Sequence, residues 1–281
     1  MSASPANLVE NQNTQAVGFD QAAEPGVANA VEISNVTVAY RSYKERPTTL
    51  KETVIGAIKH RKFRYYETFN ALSNVTFNIP KGQVFGIIGS NGAGKSTLLK
   101  VIAGVLPPTR GTVKVNGSVD SLIQLGAGFD AELNAIENIY LSGALHKKPR
   151  AEIKRRIPEI LEFAELEDFA TTPIKYYSSG MFARLGFAVA ADRNPDVLLV
   201  DEVLGVGDER FRKKCEKVFE SFLASGNTIV IVSHSLGNLS SMADQIGLLS
   251  RGEFTYIGDP ATAIERYRAQ DYKTRLTQNN S

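Results

Sequence analysis

The sequence predicts an α/β fold, a mixed and mainly parallel sheet core with a helical subdomain inserted into it. Three observations carry this. A buried strand at 84–88 runs into a glycine-rich turn and then a helix beginning near Lys95. Two later runs, 197–200 and Thr228–Val232, are continuously apolar, as strands are when both faces are covered. Between the first strand and these two, residues from about 135 to 191 carry apolar side chains at helical spacing.

In chain order, residues 1–28 are Asn, Gln, Ala, Pro and Gly with scattered acids, a composition that predicts a disordered tail. Up to Ala30 there are Glu10, Asp20 and Glu24 but no Lys, no Arg and no apolar block, which fits neither a secretory signal nor a transit peptide. Val31, Ile33, Val36 and Val38 then predict a strand ending at Tyr40. A basic insertion follows at 41–66: eight Lys or Arg against Glu45 and Glu52, a local net charge of +6. Within it 48–63 can form a helix with Leu50, Val54, Ile55 and Ile58 on one face. Lys51, Lys59, Arg61 and Lys62 surround that face, a pattern suited to an anionic membrane surface or to a solvated loop.

Alternation returns at Leu72, Val75, Phe77 and Ile79, and the strand at 84–88 follows a Pro80-Lys81-Gly82 turn. Ile153, Ile157, Ile160, Leu161 and Ala164 mark one face of a helix inside a helical subdomain at about 126–191. The ordered domain spans 29–258, and 259–281 reads as a short helix through Ile264 and Tyr267 with a polar tail.

Composition narrows the function classes. The chain has 32 Lys and Arg against 30 Asp and Glu, with 43% hydrophobic and 22% charged residues, so it is an ordinary globular sequence without the bulk charge of a basic nucleic-acid binder. No apolar run reaches the roughly 18 residues of a membrane span. The single cysteine, Cys215, makes no internal disulfide or multi-thiolate metal site and suits a reducing cytoplasm.

The chemistry is concentrated in two segments. Gly89-Ser90-Asn91-Gly92-Ala93-Gly94-Lys95-Ser96-Thr97 fits the phosphate-loop pattern in its proper strand-to-helix setting. Its backbone N–H groups can point at phosphate oxygens, Lys95 can neutralise β/γ charge, and the Ser96 hydroxyl can ligate Mg²⁺. The second segment, 196–202, ends a buried strand in Asp201 and Glu202, and ligands gather at the carboxyl ends of parallel strands. Asp201 then holds Mg²⁺ while Glu202 activates the attacking water, unless the pair only caps the next helix. His234, just past the strand Thr228–Val232, lies at the same sheet edge and can sense a γ-phosphate.

Tyr177-Ser178-Ser179-Gly180-Met181 precedes a predicted helix at 182–191, and its Ser-x-Gly core resembles the LSGGQ signature of ABC ATPases. In the order phosphate loop, signature, Asp-Glu, His234, the chain resembles an ABC nucleotide-binding domain over about 31–258. That resemblance implies a P-loop NTPase cassette with a RecA-like core, binding ATP and Mg²⁺. It implies that Tyr40 stacks on adenine, that Gln124 contacts Mg²⁺ and signals to a membrane subunit, and that two copies pack head to tail. In such a dimer Ser178, Ser179 and Gly180 close over the γ-phosphate held by the partner's phosphate loop.

The variant signature, with Arg184-Leu185 and Phe187-Ala188, narrows the resemblance. So do Leu125-Gly126-Ala127-Gly128-Phe129, Glu137-Asn138-Ile139 and the run from Asp201 to Asp208 followed by Phe211 and Lys214-Cys215. These resemble the ATPase subunits that export O-antigen, capsule and, more distantly, teichoic acid, in which Cys215 is a packing residue. The implied function is an ATP-hydrolysing motor, peripheral at the cytoplasmic face of the inner (plasma) membrane. An integral-membrane permease is its partner, lipid-linked polysaccharide its cargo, and nucleic acid is not a partner. Another ABC-2 type exporter and a soluble ABC ATPase acting on nucleic acid are the alternatives. Because 47 residues follow His234, no added carbohydrate-binding β-sandwich is expected there.

Overall fold

The computed structural model describes residues 28–43, 66–122, 125–201, 208–233 and 235–279. Residues 1–27 of the expected tail at 1–28 and the amphipathic segment at 48–63 lie outside the described residues. Two long strands open the fold, β1 (Asn29–Tyr43) and β2 (Tyr66–Pro80), paired antiparallel from Val31↔Ile79 to Tyr43↔Tyr66. That pairing shortens the expected basic insertion: Arg41, Ser42 and Tyr43 ladder with Thr68, Glu67 and Tyr66, so only 44–65 separates the strands. With β4 (Arg110–Val115) they form a three-stranded sheet in the order β2-β1-β4.

The second sheet has six strands. They are β3 (Val84–Ile88), β5 (Val119–Ser121), β6 (Val197–Asp201), β7 (Thr228–Val232), β8 (Gln245–Ser250) and β9 (Glu253–Gly258). Their order is β5-β6-β7-β3-β8-β9, parallel except for the β8/β9 hairpin at the edge. Every residue of β3 and β7 is buried, which is why both read as unbroken apolar runs in the sequence.

Successive side chains of β3 serve different layers. Phe85 and Ile87 join the core shared with the antiparallel sheet and with α1 (Lys95–Ile102). Val84 and Ile88 face the opposite layer, which holds α5 (Glu209–Ala224), α6 (Leu236–Met242) and α7 (Pro260–Asn279). The last helix runs well beyond Tyr267, where the sequence suggested a polar tail. Asp259 starts it by accepting the Thr262 N–H at 2.8 Å, and Pro260 fits the first helical position. A stacked and edge-on cluster of Phe77, Phe85 and Phe254, with centroids 5.0 to 6.3 Å apart, fastens the two sheets together.

The helical layer has its own core, built by α2 (Ala135–Leu145), α3 (Arg150–Ala164) and α4 (Ser179–Ala191). Ile153, Ile160, Leu161 and Ala164 of the expected apolar face are buried there, with Ile157 half-buried. Asn134 starts α2 with a capping box, trading hydrogen bonds with Glu137 at 2.9 and 3.0 Å. Phe163, Phe187 and Phe211, one from each of α3, α4 and α5, pack with centroids 5.6 to 6.1 Å apart and join this layer to the sheet core.

Cys215 is buried on α5, and burial pushes its thiol up to about 12. Two outcomes follow for solution measurements. Phe85→Ala should cost about 3–5 kcal/mol in denaturant unfolding, whereas Phe169→Ala, at a half-exposed ring, should change stability by under about 1 kcal/mol. Native protein should react with an aromatic disulfide reagent only as fast as it opens; immediate stoichiometric labelling would contradict the burial of Cys215.

Candidate functional site

The glycine turn leaves the carboxyl end of β3, the strand flanked by β7 on one side and β8 on the other. Two of its glycines stand where no side chain fits. A Cβ on Gly89 would lie 2.2 Å from the Leu249 carbonyl oxygen, and one on Gly94 would lie 2.5 Å from the Ala71 carbonyl oxygen. Gly94 also adopts φ 107° as the residue that starts α1, a conformation costly for any side chain. The turn is therefore wedged between the backbones of β8 and β2.

Lys95 is buried, and its ammonium donates to the Gly89 carbonyl at 2.7 Å and the Ser90 carbonyl at 3.0 Å. These bonds draw the cation back over the turn. The Ser96 hydroxyl donates to Asp201 Oδ2 at 3.5 Å, although Asp201 ends β6, two strands away from β3. The same sheet edge thus gathers a loop of N–H groups, an ammonium, a hydroxyl and a carboxylate.

A cavity of about 550 Å³ opens over them, lined by residues 91–97, Asp201 and Val232. Its other end is aromatic. Tyr40 stacks against Phe69 with centroids 5.6 Å apart and planes at 28°, and both rings line the cavity with Asn70 and Ala71. The size falls within the range of small-molecule sites, and the arrangement offers a ring-sized apolar face at one end and phosphate chemistry at the other.

Four lining residues were not singled out from the sequence: the run Phe69, Asn70 and Ala71, and Arg251. Phe69 is the register partner of Tyr40, so a hairpin pairing would have pointed to it. Arg251, in left-handed backbone at φ 49°, forms with Gly252 the tight turn between β8 and β9, an Arg-Gly signal that is legible only once those strands are known. Gln124, Glu202 and His234 lie outside the described residues. Their described neighbours Leu122, Asp201 and Ser233 follow β5, end β6 and follow β7 respectively.

Ser178, Ser179 and Gly180 do not line the cavity. They begin α4, three residues ahead of the predicted helix start. The reason is a cap: the Ser178 hydroxyl accepts the Met181 N–H at 3.2 Å, so Ser179 and Gly180 form the first turn. Ser178 and Ser179 are exposed, and the positive end of the helix is open to solvent. A second, smaller cavity of about 210 Å³ lies between the helical layer and the sheet core, lined by Val105, Gly126, Phe129 and Arg193 among others, with Val105 largely exposed.

A glycine turn leading from a central parallel strand into a helix, opposite an acid that ends a second strand, defines a P-loop nucleotide-binding domain. The ABC transporter family model matches residues 72–205. The chain belongs to that family. It is 39% identical over 238 residues to the O-antigen export system ATP-binding protein RfbB of Klebsiella pneumoniae, covering 85% of this chain and 97% of that protein. It is 42% identical over 239 residues to the teichoic acids export ATP-binding protein TagH of Bacillus cereus, and 39% identical to RfbB of Myxococcus xanthus. The chain spans only 42% and 56% of those two longer relatives. Among solved structures, a dimeric ATP-binding cassette in a post-hydrolysis state with ADP and Pi superposes with a TM-score of 0.62. It is 26% identical and covers 82% of this chain and 98% of its own length.

The glycines separate steric from conformational demand. Gly92 sits at φ 77° with nothing within 4 Å of the point a methyl group would occupy, so Gly92→Ala should cost only about 1 kcal/mol. Gly89→Ala, which meets a backbone oxygen, should lower the melting temperature several-fold more; equal shifts for the two variants would contradict the wedged turn.

Proposed function

We propose that this chain is the ATP-hydrolysing motor subunit of an ABC exporter that moves lipid-linked polysaccharide, of the O-antigen or capsule type, across a membrane. The observation that carries the reading is the 39% identity spanning 97% of an O-antigen export ATP-binding protein. The cavity supports it with chemistry suited to ATP. Tyr40 offers a face to adenine, the turn at 91–94 offers N–H groups to the phosphates, and Lys95 offers charge to the β and γ groups.

The residues present fit a magnesium ion. The hydroxyl of Ser96 and a carboxylate oxygen of Asp201 stand 3.5 Å apart, two hard oxygen donors at the phosphate end of the cavity. Ser96 and Asp201, with Gln124, would hold the ion, which when bound would screen the negative charge of the phosphates. Glu202, the next residue after Asp201, orients the attacking water and accepts its proton. His234 contacts the γ-phosphate, and its release after hydrolysis ends that contact.

The exposed start of α4 can receive an anion, and none of Ser178, Ser179 and Gly180 lines the cavity of its own chain. A second copy packed head to tail supplies that anion as bound nucleotide, so ATP binding closes the dimer and hydrolysis reopens it. No described helix is long and apolar enough to cross a membrane. As in the export systems named for its relatives, the transport path is assigned to an integral-membrane permease, with this subunit on the cytoplasmic face. The basic composition of 41–66, a net charge of +6, suits an anionic leaflet in this arrangement.

Two variants test the reading. Lys95→Ala should weaken ATP binding roughly 10- to 100-fold by calorimetry, the range for losing a charged hydrogen-bond donor. Glu202→Gln should keep binding, slow turnover by roughly 10² or more, and accumulate an ATP-dependent dimer by light scattering. Parental turnover with no such dimer would show that Glu202 is not the base.

A further inference from the structure

Besides Lys95 and Asp201, the cavity at 91–97 has a further charged residue in its described lining, Arg251. Lys95 is drawn back onto the carbonyls of Gly89 and Ser90, and Asp201 takes the Ser96 hydroxyl. Arg251 is exposed and, among the described residues, has neither a hydrogen bond nor an ion pair. An uncommitted guanidinium on the wall of a concave site is chemistry for an anion.

Its backbone is a second departure. Ser250 pairs with Glu253, so Arg251 and Gly252 form a two-residue hairpin loop with φ 49° and 82°. Two positive φ values mark a turn whose first position asparagine fills best, because its short side chain tolerates left-handed backbone. An arginine there carries strain that the turn itself does not ask for. The turn is also fastened to the phosphate loop. The Gly252 N–H donates to the Ala93 carbonyl at 2.9 Å, and a Cβ on Gly252 would lie 2.8 Å from the Ala71 carbonyl oxygen.

These contacts set the level at which Arg251 meets the cavity. Along β2 the wall runs from Phe69, stacked on Tyr40, through Asn70 to Ala71, whose carbonyl also abuts Gly94. Arg251 is rooted beside Ala71, between the aromatic end and the Lys95 end. A nucleoside triphosphate with its base on Tyr40 and its β and γ groups at Lys95 places its sugar and α-phosphate in that interval. We propose that Arg251 is a nucleotide-binding residue whose guanidinium donates to the α-phosphate, an inference that rests on the ATP-binding reading above. The α-phosphate is common to ATP and ADP and independent of the base. The contact therefore holds the nucleotide equally before and after hydrolysis, which lowers KM without raising kcat.

Arg251→Asn tests this with two readouts of opposite sign. Without nucleotide the variant should melt about 1–3 °C above the parent, because asparagine suits the turn. Calorimetry on the full chain should show ATP and ADP dissociation constants raised by one common factor, roughly 3- to 30-fold, and the GTP constant raised by the same factor. KM for ATP should rise accordingly, with kcat within about two-fold of the parent. Arg251→Lys, which keeps the charge but not the fork, should fall between parent and Arg251→Asn. Unchanged ATP and ADP affinity overturns the proposal. So does a loss that spares GTP, which assigns the arginine to adenine, or a loss of kcat at constant KM. Weaker binding together with a lower melting temperature also overturns it, since damage to the turn then accounts for both. Failure of the parent itself to bind ATP, with Lys95→Ala as its control, overturns instead the reading on which this one rests.

Discussion

The fold turns on a close approach of three backbones at the glycine turn. The Leu249 carbonyl presses on Gly89 from β8 and the Ala71 carbonyl presses on Gly94 from β2, each nearer than a methyl group allows. Hydrogen bonds complete the clamp: the Gly252 N–H donates to the Ala93 carbonyl at 2.9 Å, and the Ser73 N–H donates to the Gly252 carbonyl at 2.9 Å. The antiparallel sheet and the parallel sheet thus meet at the turn itself. Its shape belongs to the packed protein before any ligand arrives, which is what an anion site needs if ordering is not to be charged against binding.

The helical layer is attached in a different way. Its joint to the core is built largely of side chains, among them the three phenylalanines 163, 187 and 211 and the charges around Arg184. Arg193 joins them, donating to Asp120 of β5 at 2.8 Å and to Ser142 of α2 at 2.6 Å. Backbone clamps have one geometry, whereas packed rings and ion pairs on separate helices tolerate small sliding motions. The site for phosphate is therefore the stiff part of the molecule. The part that would reach toward a second copy is carried on the adaptable joint.

What the sequence revealed follows the same division. The turn at 89–97, the strands ending at Ile88, Asp201 and Val232, and the start of α1 are contiguous, and contiguous patterns are legible. Strand β4 is mostly exposed and β5 has three residues, so neither carries a clear period; β8 and β9 are short, and a glycine interrupts the apolar run of β8. Helix α5 is rich in charge, and of its buried Phe211, Cys215, Phe219 and Phe222 only Phe211 and Cys215 were legible, as part of a motif and not as a face. Phe69 and Arg251 reach the cavity through a strand register and a hairpin turn, long-range facts with no local trace. The hydroxyl–carboxylate pair of Ser96 and Asp201 was foreseen by chemistry alone, each residue from its own motif.

The ladder between β1 and β2 continues past Tyr40 and Phe69 for three further pairs, ending at Tyr43 opposite Tyr66. Strand pairing beyond the aromatic end of the cavity insulates it from whatever the chain does at 44–65. Doubling the length of the chain between two paired strands adds only about 0.6 kcal/mol to the entropy cost of closing it. The tip of this hairpin is consequently a place where related chains can gain or lose tens of residues by insertion or deletion without retuning the nucleotide pocket, and where an engineer can splice a fluorescent or affinity module into the chain.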